Sequence, residues 1–199
     1  MTETKLPRVG VLAIQGDYAA HAEALLETDA EPCEIRKPDQ LCGLDGLILP
    51  GGESTTMLRF LEKHRFLEDL KEFSETHPVF GTCAGAILLA REVRNPAQRS
   101  LGVLDAVVER NAYGRQIDSA ILTARTELPG GPLEMVFIRA PRIVETGPEV
   151  EVLARREGSP ALIREGHVMA ATFHPELSSD RRVHRLFVEL VAGARNSAA

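Results

Sequence analysis

Val79-Phe80-Gly81-Thr82-Cys83-Ala84-Gly85-Ala86-Ile87-Leu88-Leu89-Ala90 begins as an apolar strand, turns through Gly-Thr-Cys-Ala-Gly and leaves as an Ala/Leu/Ile-rich helix. Gly-x-nucleophile-x-Gly between a strand and a helix is the pattern of a nucleophile elbow, whose tight turn leaves no room for side chains two residues either side of the nucleophile. Gly81 and Gly85 occupy those positions. The nucleophile would be the thiol of Cys83, placed at a helix N-terminus where free N–H groups and the positive dipole end favour thiolate. The N–H of Ala84 would then face any oxyanion formed by attack. The same stretch also fits a buried apolar cysteine in a close turn, so the rest of the chain has to decide.

Upstream of the elbow the pattern is strand, helix, strand, helix. Arg8–Gly16 is a short apolar run closed by glycine, and Asp17 is placed to cap a helix over Tyr18–Glu27. Glu34-Ile35-Arg36 and Asp45–Pro50 read as strands, the second ending in Gly51-Gly52-Glu53-Ser54. Helical periodicity follows in Met57–His64 and Phe66–Thr76. This spacing implies βαβ units and a parallel sheet. Downstream, Val103–Arg110, Ile117–Arg125, Met135–Arg139, Val150–Arg155 and Ala161–Arg164 are short and β-rich. Arg164-Glu165-Gly166-His167 is a hairpin turn into Val168–Phe173. A last amphipathic helix is expected from about Asp180 to Ala192, with Val183, Leu186, Phe187, Leu190 and Val191 on its apolar face and a frayed tail over 193–199. The expectation is one α/β domain spanning 1–199, its core about 8–192, built as a three-layer sandwich around a mostly parallel sheet with an antiparallel β extension.

The 199 residues are 44% hydrophobic and 26% charged, a globular composition with enough apolar mass for a full core. A net charge of −6 without a Lys/Arg block argues against nucleic acid or an anionic membrane as the main partner. No apolar run reaches the ~20 residues that span a bilayer, and Met1–Pro7 has no secretory core, so a cytoplasmic location is expected. Three cysteines (Cys33, Cys42 and Cys83) without a CxxC pair suit neither a disulfide framework nor a zinc site, and no metal is expected.

A thiol nucleophile needs a base, and the base needs a group that holds its tautomer. His21, His64, His77 and His184 fall on helices or in a loop and read as solvated or packing residues, and His167 reads as a surface turn residue. His174 differs, because it ends an apolar strand and is followed by Pro175-Glu176. In extended chain residues i and i+2 face the same side, so Glu176 can reach the His174 ring. Strand C-terminal ends share one edge of a parallel sheet, which is where ligands bind. Cys83 and His174 would meet there, although a strand-ending His with a terminating Pro is the plainer alternative. Gly51-Gly52-Glu53-Ser54 reaches the same edge, where its backbone N–H groups suit an oxyanion or a substrate carboxylate. Alternatively it is a strand-to-helix turn capped by Ser54. Gln15 also ends a strand at this edge, where a turn role is the simpler reading.

Gly81-Thr82-Cys83-Ala84-Gly85 with the later Phe173-His174-Pro175-Glu176 resembles the class I glutamine amidotransferases, whose fold is flavodoxin-like. Leu12–Gly16, Leu47–Met57, Arg110–Gln116 and Phe137–Pro141 narrow the resemblance to the glutaminase-subunit family of pyridoxal 5′-phosphate synthase, from about Val9 to Leu190. The resemblance implies that Cys83 is the nucleophile, His174 the base and acid, and Glu176 its orienting carboxylate. It implies glutamine contacts at Gly52, Glu53, Ser54, Arg110, Ile138 and Arg139. Gly52 and Ala84 become oxyanion donors, with Gln15 at a nearby position that responds to partner docking. Hydrolysis of L-glutamine would yield L-glutamate and ammonia. The ammonia would pass to a (β/α)8-barrel synthase subunit that makes pyridoxal 5′-phosphate, with no cofactor on this chain. A partner-free cysteine hydrolase of the same fold would lack the Gly-Gly-Glu-Ser and Arg-Asn-x-x-Gly-Arg-Gln segments, and a silent regulatory relative would have lost Cys83, His174 or Glu176.

Overall fold

The computed structural model describes residues 5–110 and 119–198. Its centre is a seven-stranded sheet in which β1 (Arg8–Leu12), β2 (Glu31–Ile35), β3 (Gly46–Leu49), β4 (Val79–Thr82) and β12 (Val168–Ala171) run parallel. Strands β10 (Glu151–Arg156) and β11 (Ser159–Glu165) extend it antiparallel, in the order β10-β11-β12-β4-β3-β1-β2. Strands β3, β4 and β12 are buried at every residue. Their side chains alternate between two apolar layers, as strand geometry requires. Leu47, Leu49, Val79, Val168 and Ala170 face the layer under α2 (Ser54–Lys63), α3 (Phe66–Thr76) and α4 (Ala84–Leu89). Ile48, Phe80, Met169 and Ala171 face the layer filled by α1 (Tyr18–Leu26) and α5 (Arg182–Ala198). In that second layer Phe80 meets Phe187 of α5 with ring centroids 5.6 Å apart. Each fully buried ring of this kind contributes about 1.5–3 kcal/mol relative to exposure.

The helix layers on both faces and the antiparallel extension agree with the sequence reading. Two smaller sheets complete the extension: β5 (Ala90–Arg94), β6 (Leu104–Glu109) and β9 (Arg142–Thr146), and the β7 (Ser119–Ala124)–β8 (Leu133–Ile138) ribbon. Three details differ from expectation. Helix α4 stops at Leu89, and Ala90–Arg94 becomes a strand because it pairs with β6. Strand β9, unforeseen, pairs antiparallel with β6. Helix α5 runs to Ala198 instead of fraying after Ala192. The expected strand over 117–125 and the Arg-Asn-x-x-Gly-Arg-Gln segment lie partly outside the described residues, which resume at Ser119.

The elbow is built by contact. A Cβ on Gly81 would lie 2.5 Å from the Gly85 carbonyl carbon, and one on Gly85 would lie 1.9 Å from the Leu49 carbonyl oxygen. Helix α4 is therefore pressed against β3 and β4 with no space for a methyl group. Gly85→Ala is expected to destabilise the fold by about 3 kcal/mol, because a backbone oxygen cannot give way as a flexible side chain can. Gly193→Ala, inside α5 and with nothing within 4 Å of its added methyl, is expected to stabilise it by about 0.5–1 kcal/mol. Urea denaturation of both variants checks the opposite signs.

Candidate active site

Cys83 sits between β4 and α4 at φ 49°, ψ −102°, a conformation that costs a non-glycine residue of order 1–3 kcal/mol unless its surroundings enforce it. The enforcement is visible. Its N–H donates to the Ala171 carbonyl of β12 at 2.8 Å, and the Gly81–Gly85 contact closes the turn behind it. The side chain is 7% exposed, with Sγ 4.0 Å from the Ile138 carbonyl oxygen.

Three residues after β12 ends, His174 is delivered beside it. The His174 N–H donates to the Val136 carbonyl at 2.8 Å, which ties it to β8, and the Cε1 edge of its ring abuts Gly51, where an added Cβ would collide with it. Its Nδ1 is 2.7 Å from Glu176 Oε1 in the 3₁₀ turn Pro175–Leu177, and both residues are buried. Glu176 reaches the ring as expected, but through a 3₁₀ turn and not through the extended chain the sequence suggested. Burial acts to lower the His174 pKa, but Cys83 beside it and the hydrogen-bonded Glu176 carboxylate outweigh it. The result is pushed up to about 10. Ring and carboxylate therefore form one buried hydrogen-bonded pair beside the thiol, and the ring holds its proton at neutral pH.

A cleft of about 280 Å³ opens over this row, lined by Cys83, His174, Gly51, Gly52, Glu53, Ser54, Arg110, Ile138 and Arg139, with Gly16, Asp17 and Ile87 completing the wall. All six residues expected to contact glutamine reach the cleft. Their side chains are occupied differently than the sequence suggested. Glu53, not Ser54, caps α2: its carboxylate accepts from the N–H groups of Thr55 at 3.0 Å and Thr56 at 2.7 Å. The Thr56 hydroxyl hydrogen bond, first among several, holds the Glu53 pKa down at about 2 against the opposing effect of burial. Ser54 donates through its hydroxyl to Gln98 Oε1 at 3.0 Å. Arg110 donates to Thr55 Oγ1 at 2.7 Å and lies 3.4 Å from Glu53 Oε1. Arg139 has φ 44°, a second non-glycine residue in the left-handed region at the rim.

The expected oxyanion elements are adjacent. Ala84 is the first residue of α4, and first-turn N–H groups have no acceptor within their own helix. Gly52 has φ 133°, which favours glycine, and a Cβ there would touch the Gln15 side chain at 3.0 Å. Gln15 itself donates through Nε2 to the Glu53 carbonyl at 2.5 Å, so it is joined to the loop. Asp17, anticipated only as a cap for α1, makes no side-chain cap bond. It stands with His174 and Glu176 in a group whose ligand-type atoms lie within 4.8 Å of one another. Glu176 Oε1 and His174 Nδ1 already engage each other, which suits a charged dyad better than a cation site.

Behind the row lies a second group that sequence reading assigned to solvent or packing. His21 and His184 are both 0% exposed. His21 Nδ1 is 3.0 Å from His184 Nε2, while His21 Nε2 is 3.1 Å from Thr82 Oγ1 and 3.3 Å from Glu176 Oε2. The sequence signal existed, since His21 stands one helical turn from buried Ala24 and Leu25, and His184 lies within the Val183–Val191 stripe.

Known proteins resemble this chain along nearly its whole length. The sequence model of the SNO glutamine amidotransferase family matches residues 11–193. The pyridoxal 5′-phosphate synthase subunit PdxT of Koribacter versatilis is 58% identical over 184 residues, covering 92% of this chain and 95% of that protein. The PdxT subunit of Thermotoga maritima is 51% identical, over 92% of this chain and 99% of its own length. A crystal structure described as a glutamine amidotransferase superposes with a TM-score of 0.85 at 48% identity, covering 92% of this chain and 98% of the other. A more distant glutamine amidotransferase from Thermotoga maritima, 15% identical over 98% of this chain and 86% of its own, shares the fold at a TM-score of 0.60. A family match across nearly the whole sequence, carried by relatives above half identity, places this chain in the SNO glutamine amidotransferase family.

Proposed function

We propose that this chain is the glutaminase subunit of a pyridoxal 5′-phosphate synthase, hydrolysing L-glutamine to L-glutamate and ammonia with Cys83, His174 and Glu176 as its catalytic residues. The observation that carries the reading is the cleft in which Cys83 and His174 stand together, with His174 Nδ1 held 2.7 Å from the buried Glu176 carboxylate. Cys83 thiolate attacks the side-chain amide carbon of glutamine. The resulting oxyanion is met by backbone N–H groups of Ala84 and the Gly52 loop, the latter braced by Gln15. His174 gives its proton to the departing amine, ammonia leaves, and a γ-glutamyl thioester remains on Cys83. His174, now neutral, takes a proton from water as the water adds to the thioester, which releases glutamate and restores the thiolate. Glu176 holds Nδ1–H throughout, so that Nε2 faces the thiol and then the water.

Arg110 and Arg139 stand at the cleft wall as cations for the glutamine α-carboxylate, with Glu53, Ser54 and Ile138 shaping the rest of the site. No cofactor enters this sequence of steps. Ammonia set free in water becomes ammonium and is lost as a nucleophile, so the chemistry favours delivery to an acceptor enzyme. The names of the relatives supply one, a pyridoxal 5′-phosphate synthase, and a (β/α)8-barrel synthase subunit is the partner proposed. Among the described residues no helix is long and apolar enough to cross a membrane. A cytoplasmic setting belongs to the same proposal, since the reactive thiol needs reducing surroundings.

Glutamate release by wild type and Cys83→Ala, each with and without the synthase subunit, tests the function. Cys83→Ala is expected to lose essentially all turnover, and retention of turnover would overturn the assignment. Wild type is expected to be slower without its partner. A second measurement addresses the row. With His174 charged up to about pH 10, kcat/KM is expected to hold across neutral pH and fall as pH rises through that value. Glu176→Gln removes one cause of the raised pKa, so this alkaline limb should move to lower pH while kcat drops by roughly 10²–10⁴-fold.

A further inference from the structure

The triad uses one side of Glu176. Its Oε1 accepts from His174, while Oε2 is buried, has no fully formed hydrogen bond among the described residues, and faces His21 Nε2 at 3.3 Å. A carboxylate oxygen taken out of water needs a donor, because an unmet one costs the full desolvation of the group. The next ring along identifies the donor. His184 Nε2 lies 3.0 Å from His21 Nδ1, and His184 Nδ1 has no hydrogen-bond partner among the described residues.

A bare ring nitrogen can sit in an apolar pocket at lower cost than an orphaned N–H, so the His184 proton belongs on Nε2 and is donated to His21 Nδ1. That fixes the neighbouring ring. With Nδ1 accepting, His21 carries its proton on Nε2, where Thr82 Oγ1 at 3.1 Å and Glu176 Oε2 share it. The opposite arrangement would turn a bare Nε2 lone pair toward the carboxylate and bury an unmet N–H at His184. The four residues come from α1, β4, the turn after β12, and α5, so the alignment is a product of the fold and of no single segment. We infer that His21 is a positioning residue for the glutaminase reaction, with His184 locking the His21 tautomer so that its Nε2–H holds Glu176 in register behind His174.

This rests on the roles proposed for Cys83, His174 and Glu176. The groups facing His21 are His184 from α5 and His174 and Glu176 from the turn after β12, with the Arg181–Glu27 ion pair beyond His184. Burial, then the neighbouring His184 and His174, hold His21 well below its ordinary range. Burial, then Arg181, holds His184 down at about 3. Both rings are accordingly neutral donors across the working range.

If His21 Nε2–H is removed, the buried carboxylate has only the imidazolium to satisfy it, and the His174–Glu176 pair keeps its proton to higher pH. Deacylation needs His174 neutral, so the acid limb of kcat moves up. His21→Phe is expected to raise that limb by about one pH unit and lower kcat at pH 7 about tenfold with little change in KM. His21→Gln, whose side-chain N–H₂ reaches the Nε2 position, should keep the limb close to wild type. A purely structural His21 would lower the folded fraction without moving the limb, and an unmoved limb in His21→Phe overturns the inference. Should His21→Phe fail to fold, ¹⁵N-histidine NMR of the wild-type chain decides. His21 and His184 are expected as neutral Nε2–H tautomers from about pH 5 to 9, and a charged or Nδ1–H His21 overturns the proposal. Cys83→Ala assayed in parallel separates the two failures. An active Cys83→Ala defeats the site reading, whereas an inactive one with an unmoved limb in His21→Phe defeats only the role of His21.

Discussion

The contact between Gly85 and the Leu49 carbonyl oxygen governs the rest of the site. With room for a hydrogen and no more, α4 is seated against β3 at a depth that leaves Cys83 a single exit from the strand, at φ 49°. Strain of that kind persists only when neighbours over-determine it. Here the opposing restraint is the Cys83 N–H bond to Ala171, and Ala171 is the last residue of β12, the strand that carries the chain to His174. Nucleophile and base are thus set by adjacent parallel strands in a fixed register, Thr82 opposite Ala171. The short segment from Ala171 to His174 is in turn held by the His174 N–H bond to Val136 of β8.

A charged row this deeply buried is expensive unless each charge is met. The fold meets them in series. His174 has Cys83 on one side and Glu176 on the other, Glu176 has His174 and faces His21, and His21 has Thr82 and His184. The outermost ring is neutral and ends the series with an acceptor left bare, the least costly place for an unmet polar atom. Hydrogen bonds are stronger and unmet groups more costly in such surroundings. The series therefore holds the imidazolium in one orientation while the apolar layer of Phe80 and Phe187 closes around its far end.

The legible part of the sequence was the part where local pattern and final environment coincide. Apolar runs ended by glycine became β1, β3 and β4, and the Gly-x-Cys-x-Gly spacing located the elbow, because its steric demand lies within five residues. Ala90–Arg94 and Arg142–Thr146 were not legible as strands. The first continues a helical run, the second mixes charge with β-branched residues, and only pairing with β6 makes either a strand. That the Glu53 carboxylate caps the first turn of α2 in place of Ser54 was not legible either, because both residues suit the start of a helix. His21 and His184 were hidden for a different reason. They lie 163 positions apart and become informative only when α1 and α5 pack side by side.

The loop Gly51–Ser54 shows why substrate binding and base orientation cannot be separated in this protein. Gly51 meets the Cε1 edge of the His174 ring, and Gly16 is packed so closely on Gly51 that an added Cβ would collide with its carbonyl oxygen. Gln15 holds the Glu53 carbonyl, Glu53 holds the start of α2, and Arg110 at the end of β6 holds Thr55. A shift of this backbone to admit glutamine therefore acts on the ring that must accept and return the proton, and on β1 and β6 together. Four consecutive residues form both the wall of the cleft and the seat of the base. Two of them are glycines because the first has a ring against it and the second a backbone angle of φ 133° beside Gln15.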